Sequence, residues 1–196
     1  GAPCHYLAGP AWSPDGKQIA FQRTLTAAAP GNEIDQIEVM DLTTGATHVV
    51  AMPPVAGSEM AQFINPRWSP DGTQIVFTVM RYPTPPTDEN ILSSSIAVVK
   101  ADGSEADTPR LLTDPVMFGS YPDWSPDGQR IVFSTYPLGS FQETTKATNL
   151  YTIAPDGTGL AQVTHFGEND TRATQPTWTP DGKQIIMMCL RSAERR

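Results

Sequence analysis

Trp12-Ser13-Pro14-Asp15-Gly16-Lys17-Gln18-Ile19-Ala20-Phe21 reads as a strand end, a tight turn and a second strand. Proline at the second turn position presets φ, and aspartate suits the third. Glycine supplies the positive φ with which the chain re-enters a sheet. The segment predicts a three-residue hairpin loop closed by a glycine bulge. It returns as Trp68-Ser69-Pro70-Asp71-Gly72, Trp124-Ser125-Pro126-Asp127-Gly128 and Trp178-Thr179-Pro180-Asp181-Gly182. The tryptophans stand 56, 56 and 54 residues apart, and every tryptophan of the chain belongs to the repeat. Self-similarity at a fixed period marks a repeat architecture.

The flanks repeat as well. Ile19-Ala20-Phe21, Ile75-Val76-Phe77, Ile131-Val132-Phe133 and Ile185-Ile186-Met187 are short β-branched and aromatic runs that favour strands. A second hairpin follows in three units, turning at Thr43-Thr44-Gly45, Asp102-Gly103 and Pro155-Asp156-Gly157. Each unit is thus four short antiparallel strands, one propeller blade. The fold class is all-β, a β-propeller of four-stranded antiparallel blades. The chain is one region, 1–196, with blade units at about 6–50, 62–113, 118–164 and 172–190. The last unit stops after its second strand, near Leu190, leaving about three and a half blades. Propellers close with about four to eight blades. Either the chain is a fragment of a longer protein with further blades, the preferred reading, or two copies associate.

Composition narrows the function. The 196 residues carry a formal charge of −8 and a sequence pI of about 4.7. That balance argues against a nucleic-acid groove and against a polybasic membrane patch. No apolar run approaches a membrane span. The 15 glycines and 19 prolines imply many turns. Cys4 and Cys189 lie near opposite ends, and either a disulfide joining them or two free thiols fits the sequence.

The whole chain resembles the TolB-type propeller, whose repeat Trp-Ser-Pro-Asp-Gly-Lys-x-Ile-x-Phe is matched throughout by Trp12 to Phe21. Ile37 to Leu42 and Arg110-Leu111-Leu112-Thr113 are also in the style of that family. The resemblance implies an extracytoplasmic location, periplasmic or secreted. It also implies one of two roles: a binding protein of the cell envelope, or the propeller of a larger serine peptidase. The repeat here is longer than the family's usual one, so each blade carries inserted residues.

Connections in a four-stranded blade alternate between the two faces of the disc. The tight turns fall on one face. The long connections, at about 23–36, 51–65, 80–94, 114–121, 136–148 and 165–175, fall on the other. Long loops on a rigid scaffold are where binding resides. Phe63, Arg81, Tyr82, Phe118, Tyr136, Phe141 and Arg172 are the candidate binding residues on them. Aromatic and Arg side chains are enriched at interface cores. The competing role for each aromatic is a loop anchor packed onto its blade.

The sequence presents no catalytic set. Gly-x-Ser-x-Gly is absent, and the histidines are only His5, His48 and His165. His48 is expected to face solvent on an outer strand. No spacing fits a metal site, and no cofactor is expected. The repeated residues have structural explanations. Trp12, Trp68, Trp124 and Trp178 fill the space between blades. Asp15, Asp71, Asp127 and Asp181 bind turn amides. Gly16, Gly72, Gly128 and Gly182 complete the turns. The expected function is a non-enzymatic scaffold presenting its loop face, with the central channel entrance, to a protein, peptide or glycan. The alternative is an accessory propeller of a larger peptidase or other hydrolase. The expected partners include neither nucleic acid nor membrane.

Overall fold

The structure is a computed structural model that describes residues 7–25, 34–53, 59–83, 91–135, 148–167 and 171–191. The first blade comprises Leu7–Trp12 (β1), Gln18–Leu25 (β2), Ile34–Asp41 (β3) and Thr47–Ala51 (β4). The second comprises Glu59–Trp68 (β5), Gln74–Pro83 (β6), Ser93–Lys100 (β7) and Arg110–Leu111 (β8). A 3-10 turn at Pro115–Met117 leads to the third: Gly119–Trp124 (β9), Ile131–Thr135 (β10), Asn149–Ile153 (β11) and Ala161–Gln162 (β12). The fourth contains Thr171–Trp178 (β13) and Ile185–Arg191 (β14). Pairing within each blade is antiparallel and sequential. One parallel bridge, Asp35 to Gln62, joins the first two blades, and Thr148 to Arg172 repeats it between the last two.

Strands reach further than turn signals alone imply. Glu59 pairs with Pro83 and Thr171 with Arg191, so two of the expected connecting segments begin pairing early. The outer strands β8 and β12 are only two residues each, shorter than expected.

The four tight turns share one hydrogen-bond pattern. Ser13, Ser69, Ser125 and Thr179 each donate a hydroxyl to the Asp Oδ1 two residues on, at 2.7, 2.6, 2.6 and 2.6 Å. The same hydroxyl accepts the backbone N–H five residues on, at 2.9, 2.9, 2.9 and 3.0 Å. The Asp Oδ1 in turn accepts the N–H two residues beyond it. The aspartate therefore does what its turn position implies, and the serine closes the hairpin. The carboxyls of Asp15, Asp71, Asp127 and Asp181 are all held below their ordinary 3.8, first by the hydroxyl and then by the backbone N–H.

Blades stack through one contact used three times. Ala11, Ala20, Ile37 and Val39 of the first blade meet Trp68, Ile75, Phe77 and Val99 of the second. The far face of the second, at Val76, Ile96 and Val98, meets Trp124, Ile131 and Phe133. Val132 and Leu150 then meet Trp178, Ile185 and Met187. Trp68, Trp124 and Trp178 thus each pack on the blade before, as expected of a side chain filling space between neighbours. Trp68 Nε1 also donates to the Ala11 carbonyl at 3.1 Å. Trp12, on the first described blade, is 64% exposed, against 8% for Trp68 and 7% for Trp124. The turns stack too: a Cβ at Gly72 or Gly128 would lie 3.8 Å from Cδ of the turn proline one blade earlier, Pro14 or Pro70.

His48 is not a bystander on its outer strand. Its Nε2 stands 3.0 Å from the Ala101 carbonyl and ties the first blade's rim to the second blade.

Ser69→Ala removes a hydroxyl that both donates and accepts in a buried turn, so urea unfolding should show a loss of about 1–2 kcal/mol. Ser69→Thr should lose little, because Thr179 makes the same bonds in the fourth blade. An equal loss from both variants would refute the turn role. The acid limb follows from the depressed carboxyls. Their contribution to stability is fully present above the unfolded carboxyl pKa of about 4 and fades as pH falls through the lower folded values.

Candidate functional site

The four inner strands β1, β5, β9 and β13 share a defect. Each carries a bulge, and the residue before its proline has a left-handed backbone: Gly9 (φ 58°), Asn65 (φ 56°), Tyr121 (φ 54°) and Gln175 (φ 51°). Such a conformation suits glycine and costs other residues about 1 kcal/mol or more. It recurs at one register position, three residues before each tryptophan, so the bulge itself belongs to the scaffold. The side chain it carries changes from blade to blade. The scaffold thus presents a series of interchangeable positions.

Asn65, Tyr121 and Gln175 line one cleft of ≈ 380 Å³ together with Arg67, Pro122, Pro176 and Thr177. Arg67, Gln175 and Thr177 are exposed, whereas Asn65 and Tyr121 are half-buried. The cleft therefore offers two carboxamides, a phenol and a guanidinium, groups that donate and accept hydrogen bonds in fixed directions. Tyr121 is held by its own backbone N–H, which donates to Thr78 Oγ1 of the preceding blade at 3.2 Å.

Asp123 holds Thr177, one of the residues lining this cleft. Its Oδ2 accepts from Thr177 Oγ1 at 2.9 Å and from the Trp178 backbone N–H at 2.8 Å, joining the third blade to the fourth. Burial pushes its carboxyl above the ordinary 3.8, opposed by these two hydrogen bonds and by the Arg67 charge. Among the described residues it is the one carboxyl with a clear upward shift, and its role is to staple blades.

The sequence-based candidates do not gather here. Phe63 lies within β5, 3% exposed, with its ring 5.0 Å from that of Phe77. It is a core residue, because the strand pairing that starts at Glu59 carries it into the blade interface. Phe118 is likewise buried, at 2% exposure, where a left-handed backbone ends the 3-10 turn. Neither ring is presented to a partner, so both correct the loop-face expectation. Arg81 and Tyr82 sit half-buried on β6, and Tyr82 donates its hydroxyl to Met80 Sδ at 3.6 Å. Arg172 is half-buried on β13. Tyr136 and Phe141 lie outside the described residues. Asn65, Tyr121 and Gln175 are the last residues of connections that the sequence sets at 51–65, 114–121 and 165–175, and none of them is among the candidates chosen there; the structure places all three inside strands. Their signal was present: each precedes a proline two residues before a repeat tryptophan.

Among the described residues no group of three His, Cys, Asp or Glu side chains is placed to hold a metal ion. Cys189 is a free, exposed thiol, and Cys4 lies outside the described residues. No described helix is long and apolar enough to cross a membrane.

Comparison with known proteins bears on this geometry. The model of the TolB beta propeller domain matches residues 4–195. The TolB crystal structure from Acinetobacter baumannii superposes with a TM-score of 0.64 at 19% identity, covering 97% of this chain and 39% of that one. A putative TolB from Agrobacterium tumefaciens gives a TM-score of 0.63 at 23% identity, over 96% of this chain and 60% of its own. A Bacillus subtilis protein described as the uncharacterized peptidase YuxL is 28% identical over 130 residues, 66% of this chain and 17% of that protein. The chain thus spans less than two thirds of each of these relatives.

Asp123→Asn keeps an acceptor for Trp178 and removes the buried charge, so its melting temperature at neutral pH should be unchanged or higher. Asp123→Leu strands the Trp178 N–H and should cost about 1–3 kcal/mol. Thermal melts of the two variants check this, and an equal loss from both would show that the charge itself is required.

Proposed function

Because the chain belongs to the TolB β-propeller domain family, we propose that it is a non-enzymatic binding scaffold that seats its partner where the inner strands meet. The observation carrying this is the cleft between Asn65, Tyr121 and Gln175. A backbone defect common to all four blades displays there a different polar side chain in the second, third and fourth. Repetition explains the defect, whereas only a bound partner gives the variation a use. Carboxamide, phenol and guanidinium groups suit the amides of a protein or peptide segment, and a glycan would draw on the same donors and acceptors. Arg81, Tyr82 and Arg172, on strand ends toward the long connections, extend the contact surface. The family resemblance supports an extracytoplasmic setting, periplasmic or secreted.

A second reading has its own support. The likeness to part of a protein described as a peptidase fits a propeller that orients substrate for a catalytic domain elsewhere in a longer chain. In that case the same cleft handles a peptide on its way to another site.

Glycine substitution tests the cleft without damaging the fold, since glycine suits a left-handed backbone better than the native residues do. Peptides selected on the native chain from a phage-displayed random library should lose about tenfold or more in affinity for the variant carrying Asn65→Gly, Tyr121→Gly and Gln175→Gly. The melting temperature of the variant should hold or rise. Undiminished binding, or failure to select any peptide, would remove the cleft from consideration.

A further inference from the structure

The position just before each repeat tryptophan has a traceable structural use in three blades. Ala11 lends its carbonyl to the Trp68 indole. Asp123 and Thr177 bond to each other and join the third blade to the fourth. Arg67 holds the same position in the second blade and ties no blades together. Its Nη1 donates to the carbonyl of Pro66, the residue beside it, at 2.8 Å. Among the described residues it makes no ion pair; the described pairs are Arg23 with Glu38 and Lys100 with Glu105. Its charge acts on the Asp123 carboxyl, whose Oδ2 is already taken by Thr177 and the Trp178 N–H. Arg67 is also the one charged side chain among the described residues lining the cleft. Its part of the cleft, with Asn65, Tyr121 and Pro122, lies between the second and third blades. Each of those has a described blade on either side.

We propose that the cleft takes a carboxylate of a peptide partner, with Arg67 as its counter-ion; this rests on the cleft being the binding site. A guanidinium is a planar fork of N–H donors that matches the two oxygens of a carboxylate. One donor of Arg67 is turned to Pro66, which leaves the others for a ligand. Asn65 and Gln175 add carboxamide N–H groups and Tyr121 a hydroxyl, donors for the lone pairs that the fork does not take. The charge in the lining is positive, so an anion gains more there than a neutral amide does. The formal charge of −8 on the whole chain works against a polyanion and favours a single acidic group held by local bonds. An Asp or Glu side chain and a free C-terminus both present that group.

Two phage-displayed random peptide libraries, one fused at both peptide ends and one with a free C-terminus, are selected on the native chain. Asp or Glu should dominate the binders from the first, or the second alone should yield binders. The first result puts the carboxylate on a side chain, the second on the chain terminus. A selected peptide is then compared with its amide counterpart, in which Asn, Gln or a C-terminal amide replaces the carboxylate. On the native chain the counterpart should bind about tenfold or more weaker, a comparison that needs no variant. The acidic peptide should lose a similar factor on Arg67→Gln and less on Arg67→Lys, which keeps the charge without the fork. The counterpart should bind native and Arg67→Gln chains alike. Circular dichroism establishes that both variants are folded. Neutral peptides that lose affinity for the triple glycine variant but not for Arg67→Gln would overturn the carboxylate and leave the cleft as the site. Binders indifferent to the triple glycine variant, or no binders at all, would overturn both.

Discussion

A four-stranded blade presents two broad faces, and both must be covered before it is stable. The rest of this structure depends on how that constraint is met. Apolar surface left in water costs about 25 cal/mol per Å², and a twisted sheet of this size cannot hide its own faces. Each blade therefore sets its tryptophan, its Ile and its aromatic strand residue onto the small or β-branched residues of the blade before it. The Trp68 hydrogen bond to Ala11 fixes the depth of that insertion at one interface. The buried indole N–H groups of Trp124 and Trp178 have no hydrogen-bond partner among the described residues; there the joining hydrogen bonds come instead from the Tyr121 N–H to Thr78 and from the Trp178 backbone N–H to Asp123.

Order at the turn end follows from the same requirement. Blades stack in register only if their hairpins have one shape. The Ser or Thr hydroxyl, the Asp carboxylate and the glycine backbone impose that shape four times within a tenth of an ångström. The inner-strand bulges are equally regular in backbone, yet they carry no side chain at Gly9, carboxamides of different length at Asn65 and Gln175, and a phenol at Tyr121. Uniform backbone with uniform side chains marks architecture, whereas uniform backbone with divergent side chains marks a place open to recognition.

Much of the architecture was legible in the sequence, because it rests on local chemistry that repeats. Ser-Pro-Asp-Gly specifies its turn without help from the rest of the chain, and the strand runs beside it need only a partner. What was not legible depended on long-range pairing. Phe63 reads as a loop aromatic beside Asn65-Pro66, since proline and asparagine punctuate chains. Pairing of β5 with β6 out to Glu59 overrides that signal and buries the ring. Phe118 follows a similar course at the 3-10 turn. His48 gains its partner from a carbonyl 53 residues away, which no local pattern announces. The cleft was hidden for the opposite reason: a residue before proline is expected to be extended, and here it is left-handed in all four blades.

The central claim is that blade-on-blade docking of the tryptophan face organises the chain. Hydrogen exchange of the indole N–H groups, followed by NMR on a sample dilute enough to be monomeric, tests it most directly. The account predicts that the Trp68 indole exchanges slowly, protected by its bond to Ala11, while that of Trp12 exchanges as fast as a free indole. Exchange of Trp68 at the Trp12 rate would contradict it.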